Sequence, residues 1–241
     1  MKKEQTRIFR DIPKSYFLNV NHYVSKLKEA CEKEELPLCY GPYLKNKKGQ
    51  WLEHMKGPNN KLILEIGCHK GKNLCQMAEG HKDKAFIGFD ITYKRVYETA
   101  LLAQSKNLEN LKAIYANAKE MEEILAPGEL DGVVIFFPDP WIKKKKQTKK
   151  RLLNQEFCAI LKRVLKPGGF IWFKTDSHDY FMNTENFLSK EDFTQSSLDQ
   201  TCFTENYEST FEKRFKEKGE PTYESVWINP GKTLEKVIER K

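Results

Sequence analysis

The chain has 241 residues, of which 39% are hydrophobic, and its formal net charge is +8 with a pI near 9.0. This size suffices for one core, so we expect a single catalytic α/β domain with an appended segment. The positive charge favours a polyanionic partner, while the lack of an apolar stretch of about 20 residues argues against a membrane span. The six cysteines form no CxxC pair, which favours reduced thiols over zinc or disulfides and a cytoplasmic protein.

Residues 1–60 are basic and irregular. One helix is expected over 16–35, followed by turns at Pro37, Gly41, Gly49 and Gly57. Because the segment lacks a core of its own, we interpret it as a basic N-terminal extension, either an RNA-contacting arm or a lid. A catalytic domain is expected over 61–241.

From residue 61 short apolar runs alternate with helical patterns, as in βαβ units. Strands are predicted at 62–66, 85–89, 111–115, 132–137 and 170–174, and a late strand at 222–228. Helices are predicted at 92–103 and 152–165, the second ending before Pro167-Gly168-Gly169. This order indicates a doubly wound, mostly parallel sheet with helices on both faces, finished by an antiparallel pair.

A glycine turn follows the first of these strands, where open α/β sheets bind nucleotide-like ligands. Gly67 and Gly71 supply a permissive backbone, and Asp90 ends the next strand 23 residues after Gly67, where a carboxylate can grip ribose hydroxyls. NAD proteins share this layout. Glu65 favours S-adenosylmethionine instead, because a carboxylate repels a pyrophosphate and suits a cationic sulfonium, although Glu65 could also be an ordinary exposed strand-end acid.

The fourth strand leads into a turn in which Pro138 and Pro140 frame Asp139. Trp141 offers a stacking plane, and basic residues at 143–146 and 149–151 can contact phosphates. A lysine run is often only a solvated loop. Its place at the carboxyl end of a strand, beside the predicted cofactor loop, favours an RNA-facing funnel and predicts that Asp139 and Glu65 face one pocket.

Taken in order, these motifs resemble the bacterial tRNA (guanine-N7-)-methyltransferase family, the TrmB type, over about residues 61–227. The motifs are Leu64-Glu65-Ile66-Gly67; Ile87-Gly88-Phe89-Asp90-Ile91 with Lys94-Arg95-Val96; 136–144, which reads FFPDPWIKK; Phe173-Lys174-Thr175-Asp176; and 209–215, which reads STFEKRF, with Gly219. The resemblance implies a Rossmann-like class I methyltransferase domain with a mostly parallel seven-stranded sheet. It also implies methyl transfer from S-adenosylmethionine, without a metal, to N7 of a tRNA guanine, position 46 of the variable loop in this family.

The family's site residues fall on named positions of this chain. By resemblance, adenosylmethionine is held by Glu65, Gly67, Asp90, Asn117 and Asp139, to which the glycine turn adds Gly71. Asp139 falls at the catalytic position, and the substrate positions are Lys143, Asp176, Ser209, Thr210, Phe211 and Glu212. The chain departs from the family at His69, where a glycine is usual, at Asn117, where an acid is usual, and at Ser209 and Thr210, where Thr and Glu are usual.

The chemistry agrees with these roles. Guanine N7 carries an in-plane lone pair and needs no deprotonation, so catalysis is mainly alignment of N7, methyl and sulfur. Asp139, Asp176 and Glu212 can accept hydrogen bonds from guanine N1–H and N2–H₂, which adenine does not offer.

Three other functions stay open. One is an RNA-binding protein that no longer holds cofactor, because of His69 and Asn117; another is a methyltransferase for a different RNA base. A small-molecule methyltransferase would leave the lysine run without a purpose. With tRNA as the partner, the protein is expected to act as a monomer or a homodimer.

Overall fold

A computed structural model of the chain describes residues 22–44, 47–141 and 145–231. They fall into two compact units, one of the described residues up to Ala126 with Tyr207–Ser209, and the other of Pro127–Asn206 with the described residues from Thr210 onward. Each unit combines parallel strands with flanking helices. Within the described ranges, no helix is long and apolar enough to cross a membrane.

The first unit is built on parallel strands. Its elements are α1 (His22–Glu32), β1 (Leu38–Tyr40), β2 (Leu62–Ile66), α2 (Lys72–Gly80), β3 (Ala85–Asp90), α3 (Tyr93–Ser105) and β4 (Leu111–Tyr115). The strands lie in the order β1-β4-β3-β2. All five residues of β2 and the first five of β3 are buried, as expected of strands covered on both faces. The predictions for β2, β3, β4 and α3 are confirmed to within two residues.

The segment before residue 60 contributes to this core. β1 pairs with β4, with Leu38 opposite Ala113. Leu27 on α1 packs in one hydrophobic cluster with Val96 and Ala100 of α3. The described residues therefore contain eight strands, four in each unit. The prediction of seven strands is wrong by one, because it did not include β1. Interpretation of residues 1–60 as an arm or lid stays a prediction.

The second unit ends in an antiparallel arrangement. Its elements are β5 (Leu130–Phe136), α4 (Gln155–Val164), β6 (Leu165–Thr175), α5 (His178–Lys190), β7 (Thr194–Ser196), α6 (Thr210–Glu217) and β8 (Tyr223–Ile228). β6 runs parallel to β5 and antiparallel to β8, and β8 is antiparallel to β7. The predicted late strand is confirmed as β8.

Local signals explain the bounds of α4. The Asn154 side chain caps its start by accepting a hydrogen bond from the Phe157 N–H at 2.9 Å. The helix ends at Val164, one residue before the predicted end, and the chain enters β6 directly. Pro167 lies inside β6 rather than beyond the helix, because its missing N–H makes it unsuitable for a helix interior but tolerable near the start of a strand.

Candidate functional site

The loop after β2 has the conformation that the glycine pattern predicts. Gly67 and Gly71 have φ angles of 78° and 69°, in the left-handed region. A Cβ at Gly71 would lie 2.4 Å from Thr99 Cγ2, so only glycine fits there. A Cβ at Gly67 would meet nothing within 4 Å. Gly71 is therefore fixed by packing, whereas the space beside Gly67 is open to a ligand.

Glu65 is a buried carboxylate at this loop, with 4% of its surface exposed. Its Oε2 has no hydrogen-bond partner among the described residues. Burial raises the pKa of Glu65 to about 8, against a lowering hydrogen bond from the Leu74 backbone, and the negative charge of Asp90 adds to the rise. A cationic group placed beside Oε2 would give that oxygen a hydrogen-bond partner and would balance the negative charge of the ionised Glu65.

Asp90 forms hydrogen bonds with both the glycine loop and the start of α3. Its Oδ2 accepts a hydrogen bond from the His69 N–H at 3.1 Å, and its Oδ1 accepts one from the Thr92 N–H at 2.8 Å. The Gly67 N–H donates to the Phe89 carbonyl at 2.8 Å, which holds the loop against β3. Asp90 thus orders the loop in addition to its predicted contact with ribose.

His69 has a left-handed backbone conformation, which is more usual for glycine. Its φ is 51°, and its carbonyl accepts a hydrogen bond from Thr99 Oγ1 at 3.1 Å. Burial lowers the pKa of the His69 imidazole, and the positive charge of Arg95 lowers it further. The loop therefore keeps its left-handed turn despite the side chain.

Asn117 follows β4 at the same edge. The neighbouring Ala116 N–H donates to the Asp90 carbonyl at 3.2 Å. The Asn117 side chain is exposed, and its Oδ1 accepts a hydrogen bond from the Lys119 N–H at 3.1 Å. Glu65, Asp90 and Asn117 thus lie at the carboxyl ends of three adjacent parallel strands, and their contact with one ligand stays a prediction.

In the second unit, Asp139 is exposed on a strained turn after β5. The φ angles of Phe137 and Trp141 are 51° and 48°, which cost an aromatic residue about 1–3 kcal/mol each. The Phe137 N–H donates to the Lys174 carbonyl at 2.8 Å, and its ring lies 5.5 Å from that of Phe215. These contacts of Phe137 hold the turn at the end where it leaves β5.

The basic run after this turn divides into two parts. Lys149 and Lys150 are exposed, and the Lys150 ammonium lies 5.0 Å from the centre of the Trp141 ring. Arg151 is only 5% exposed and donates a hydrogen bond from Nε to the Pro140 carbonyl at 2.8 Å. The expectation that Arg151 meets phosphates is therefore wrong. Lys143 lies outside the described residues.

Asp176 directly follows β6 and is partly exposed. Because β6 is parallel to β5, with Phe136 opposite Lys174, Asp176 and Asp139 follow neighbouring strands at the same edge. Thr210 and Phe211 begin α6, and both are exposed. The buried Ser209 belongs to the first unit.

Glu212 belongs to a buried ionic network that the sequence did not reveal. Lys174, 1% exposed, donates to Asn206 Oδ1 at 2.6 Å and to Glu212 Oε2 at 3.0 Å. Its ammonium also lies 5.0 Å from the centre of the Phe136 ring. Burial raises the pKa of Glu212, but hydrogen bonds from Lys216 and Lys174 bring it below its ordinary value. Glu212 is thus an ion-paired carboxylate, and its contact with guanine stays a prediction.

No metal-binding group is found in the part of the chain that the structure describes, where no three His, Cys, Asp or Glu side chains are grouped for one. Its cysteines are free thiols, five of them buried. The glycine loop instead offers a buried carboxyl group with one unpartnered oxygen and an open position at Gly67, a combination that suits a cationic organic ligand.

Comparison with known proteins gives one consistent result. A family model described as "Putative methyltransferase" matches residues 59–225. A tRNA (guanine-N(7)-)-methyltransferase of Geobacillus kaustophilus (strain HTA426) is 35% identical over 78% of this chain and 88% of the relative. Another, of Listeria monocytogenes serotype 4a (strain HCC23), is 32% identical over 79% of this chain and 90% of the relative.

Solved structures share the fold. The 16S rRNA methyltransferase KamB has a TM-score of 0.56 at 12% identity, covering 76% of this chain and 94% of its own. A mutant 16S rRNA (adenine(1408)-N(1))-methyltransferase from Catenulisporales acidiphilia, solved with cosubstrate SAM, has a TM-score of 0.51 at 16% identity over 73% and 90%. The expected Rossmann-like class I methyltransferase fold is confirmed.

Proposed function

Because this chain belongs to the tRNA (guanine-N7-)-methyltransferase family, we propose that it transfers the methyl group of S-adenosylmethionine to N7 of a variable-loop guanine in tRNA. The observation that carries the proposal is the buried Glu65 side chain, two residues before the Gly67 turn, whose Oε2 has no hydrogen-bond partner among the described residues. A carboxyl group with one unpartnered oxygen, which a bound cation would hold in its ionised form, suits a cationic aminoacyl sulfonium and disfavours a pyrophosphate. The proposed place of action is the cytoplasm.

When bound, adenosylmethionine supplies an electrophilic methyl group on a sulfonium. Glu65 would hold its cationic amino acid end, and the Gly67 turn would let the backbone approach closely. Asp90 and Asn117 would accept hydrogen bonds from the ribose and the adenine edge. Gly71 keeps the loop tight against Thr99, so its part in cofactor binding is indirect.

Asp139 and Asp176 would select the base. Their carboxylates can accept the N1–H and N2–H₂ hydrogen bonds that distinguish guanine from adenine. Guanine N7 is already nucleophilic, so the role proposed for Asp139 is to align the base rather than to remove a proton. The guanine must first leave its stack in the tRNA, at a cost of a few kcal/mol.

The lysines beside this turn would contact the tRNA backbone. Lys149 and Lys150 are exposed, and Trp141 keeps 37% of its surface accessible for stacking. Phosphate contact and stacking are independent of sequence, so they would bring the tRNA to the site without choosing the base.

A direct experiment is to incubate the protein with unmodified tRNA transcripts and labelled adenosylmethionine, and to map the methyl group by mass spectrometry of nuclease fragments. One N7-methylguanosine in the variable loop is expected. A transcript with adenine at that position is the matched control and should accept no label. Label on another base, or on protein, would overturn the proposal.

An RNA-binding protein without cofactor is not favoured. That hypothesis was based on His69 and Asn117. The His69 backbone takes a φ of 51° with both its N–H and its carbonyl hydrogen-bonded, and Asn117 still offers an exposed side-chain amide after β4. Calorimetry with adenosylhomocysteine separates the two functions, because only a methyltransferase is expected to bind it at micromolar concentration.

A further inference from the structure

Arg151 is the last residue of the basic run and differs from its neighbours in environment. Its side chain is 5% exposed, whereas Lys149 and Lys150 are exposed. Arginine is seldom buried unless its guanidinium is paired, so its contacts indicate what it does.

The guanidinium of Arg151 has three partners. Nε donates to the Pro140 carbonyl at 2.8 Å, one terminal nitrogen lies 2.7 Å from Asp179 Oδ2, and Cζ lies 4.8 Å from the centre of the Tyr180 ring. Asp179 and Tyr180 belong to the first turn of α5. Arg151 therefore connects the proline-framed turn to the start of a helix.

The contacts with Pro140 and Asp179 need two separate N–H donors on the rigid, planar guanidinium. Pro140 accepts from Nε while Asp179 accepts from a terminal nitrogen, and the planar group also stacks on Tyr180. A lysine ammonium could keep the charge but could not make this fork and stack together. The ion pair with Asp179 also offsets the positive charge of Arg151, which reduces the attraction of Arg151 for phosphate.

The turn requires such support. Phe137 and Trp141, on either side of Pro138-Asp139-Pro140, both have positive φ angles, and strained residues persist only where their surroundings over-determine them. At the Phe137 end the support is the hydrogen bond to the Lys174 carbonyl. At the Pro140 end it is Arg151.

We propose that Arg151 is a positioning residue: through the Pro140 carbonyl it fixes the turn that presents Asp139, and it does not bind tRNA. This inference rests on the proposed function, in which Asp139 aligns the guanine. Misplacement of an aligning group by about 1 Å can lower a rate about 100-fold. Loss of the hydrogen bond from Arg151 to the Pro140 carbonyl should therefore lower kcat.

The test compares Arg151→Met and Arg151→Lys with Lys149→Met, a matched control from the same run. Both Arg151 variants should lower kcat about 10- to 100-fold while the KM for tRNA stays within about 2-fold. Lys149→Met should instead raise the KM for tRNA, as expected of a lost phosphate contact. Failure of Arg151→Lys to rescue kcat would support the fork geometry, since charge alone is retained. A raised KM with normal kcat in the Arg151 variants would overturn the proposal.

A second readout does not depend on activity. The chain has four tryptophans, and 5-fluorotryptophan labelling with ¹⁹F NMR resolves them, with Trp141 assigned by Trp141→Phe. Arg151→Lys should shift or broaden the Trp141 signal and leave that of the buried Trp51 unchanged. An unchanged Trp141 signal would overturn the proposal.

Failure of the proposed function and failure of the inference about Arg151 would give different results. An inactive wild-type enzyme would overturn the proposed function, whereas an active wild type with normal kcat in both Arg151 variants would overturn this inference alone. If Arg151→Met does not fold, Arg151→Lys decides the result, because it keeps the aliphatic stem and the charge.

Discussion

Replacement of Glu65 by glutamine tests the cofactor site through its electrostatics. The folded protein holds a proton on Glu65 up to a pH of about 8, whereas the unfolded chain releases it near 4.5. Stability of the ligand-free protein therefore falls as pH rises through this window. At 1.36 kcal/mol per pH unit the loss amounts to about 5 kcal/mol as an upper bound. Glu65→Gln has no proton to lose, so its gain in stability over wild type should be near zero at pH 4.5 and largest above pH 8.

Ligand affinity should depend on pH in the opposite direction, rising as the pH rises. A cationic amino group selects the ionised carboxylate, which with a pKa of about 8 makes up about 1% of Glu65 at pH 6 and about half at pH 8. Affinity for adenosylhomocysteine should thus rise about 50-fold over this range, because apparent affinity scales with the competent fraction. In Glu65→Gln the affinity should be lower and nearly independent of pH.

Urea unfolding at pH 5 and pH 8 measures the first effect, and calorimetry in buffers of different ionisation enthalpy measures the second, with about 0.9 proton released per ligand at pH 7. Glu79→Gln is the matched control, since Glu79 is an exposed carboxylate on α2 paired with Lys106 at 2.6 Å. It should change neither profile. The same pH dependence of binding in wild type and Glu65→Gln would refute the assignment of Glu65 to the cationic end of the cofactor.

Three further predictions concern the second unit. Asp139→Ala should lower turnover by about 100-fold or more with the fold intact by circular dichroism; a near-normal rate would remove Asp139 from the site. Replacing Lys149 and Lys150 together by Met should weaken tRNA binding and reduce its salt slope by about 1 to 2, measured by filter binding at several salt concentrations; an unchanged slope would mean that neither touches phosphate. Lys174→Met should destabilise the fold by about 3 kcal/mol in urea, because it removes the buried ammonium that pairs with Glu212 at 3.0 Å; the double variant Lys174→Met, Glu212→Gln should recover part of this, and equal losses in both would exclude the ion pair as the cause.

Patterns of burial decided which elements could be read from the sequence. β2 and β3 are continuous apolar runs because both faces are covered, and such runs are visible without any knowledge of the fold. β1 has three residues between Pro37 and Gly41, so turn signals hide it. In α6 the only buried residue is Glu212, so the helix has no apolar stripe to predict it.

Buried charges were beyond sequence reasoning for a different reason. A lysine or arginine is exposed unless tertiary structure supplies a partner, so composition assigns it to the surface. The partners of Lys174 lie 32 and 38 residues away, and Arg151 meets the Pro140 carbonyl across 11 residues that include the lysine run. The same run that correctly predicted exposed Lys149 and Lys150 therefore misassigned Arg151.

His69 illustrates why a departure from a glycine motif need not signal lost function. A left-handed φ costs a residue with a side chain about 1–2 kcal/mol. At His69 the N–H is held by Asp90 and the carbonyl by Thr99, and two hydrogen bonds at about 1 kcal/mol each offset that cost. At Gly71 no such offset is available, because a Cβ would meet Thr99 Cγ2 at 2.4 Å. The loop therefore requires glycine at Gly71, where packing leaves no room for a side chain, and accepts histidine at position 69, where the only constraint is the left-handed φ.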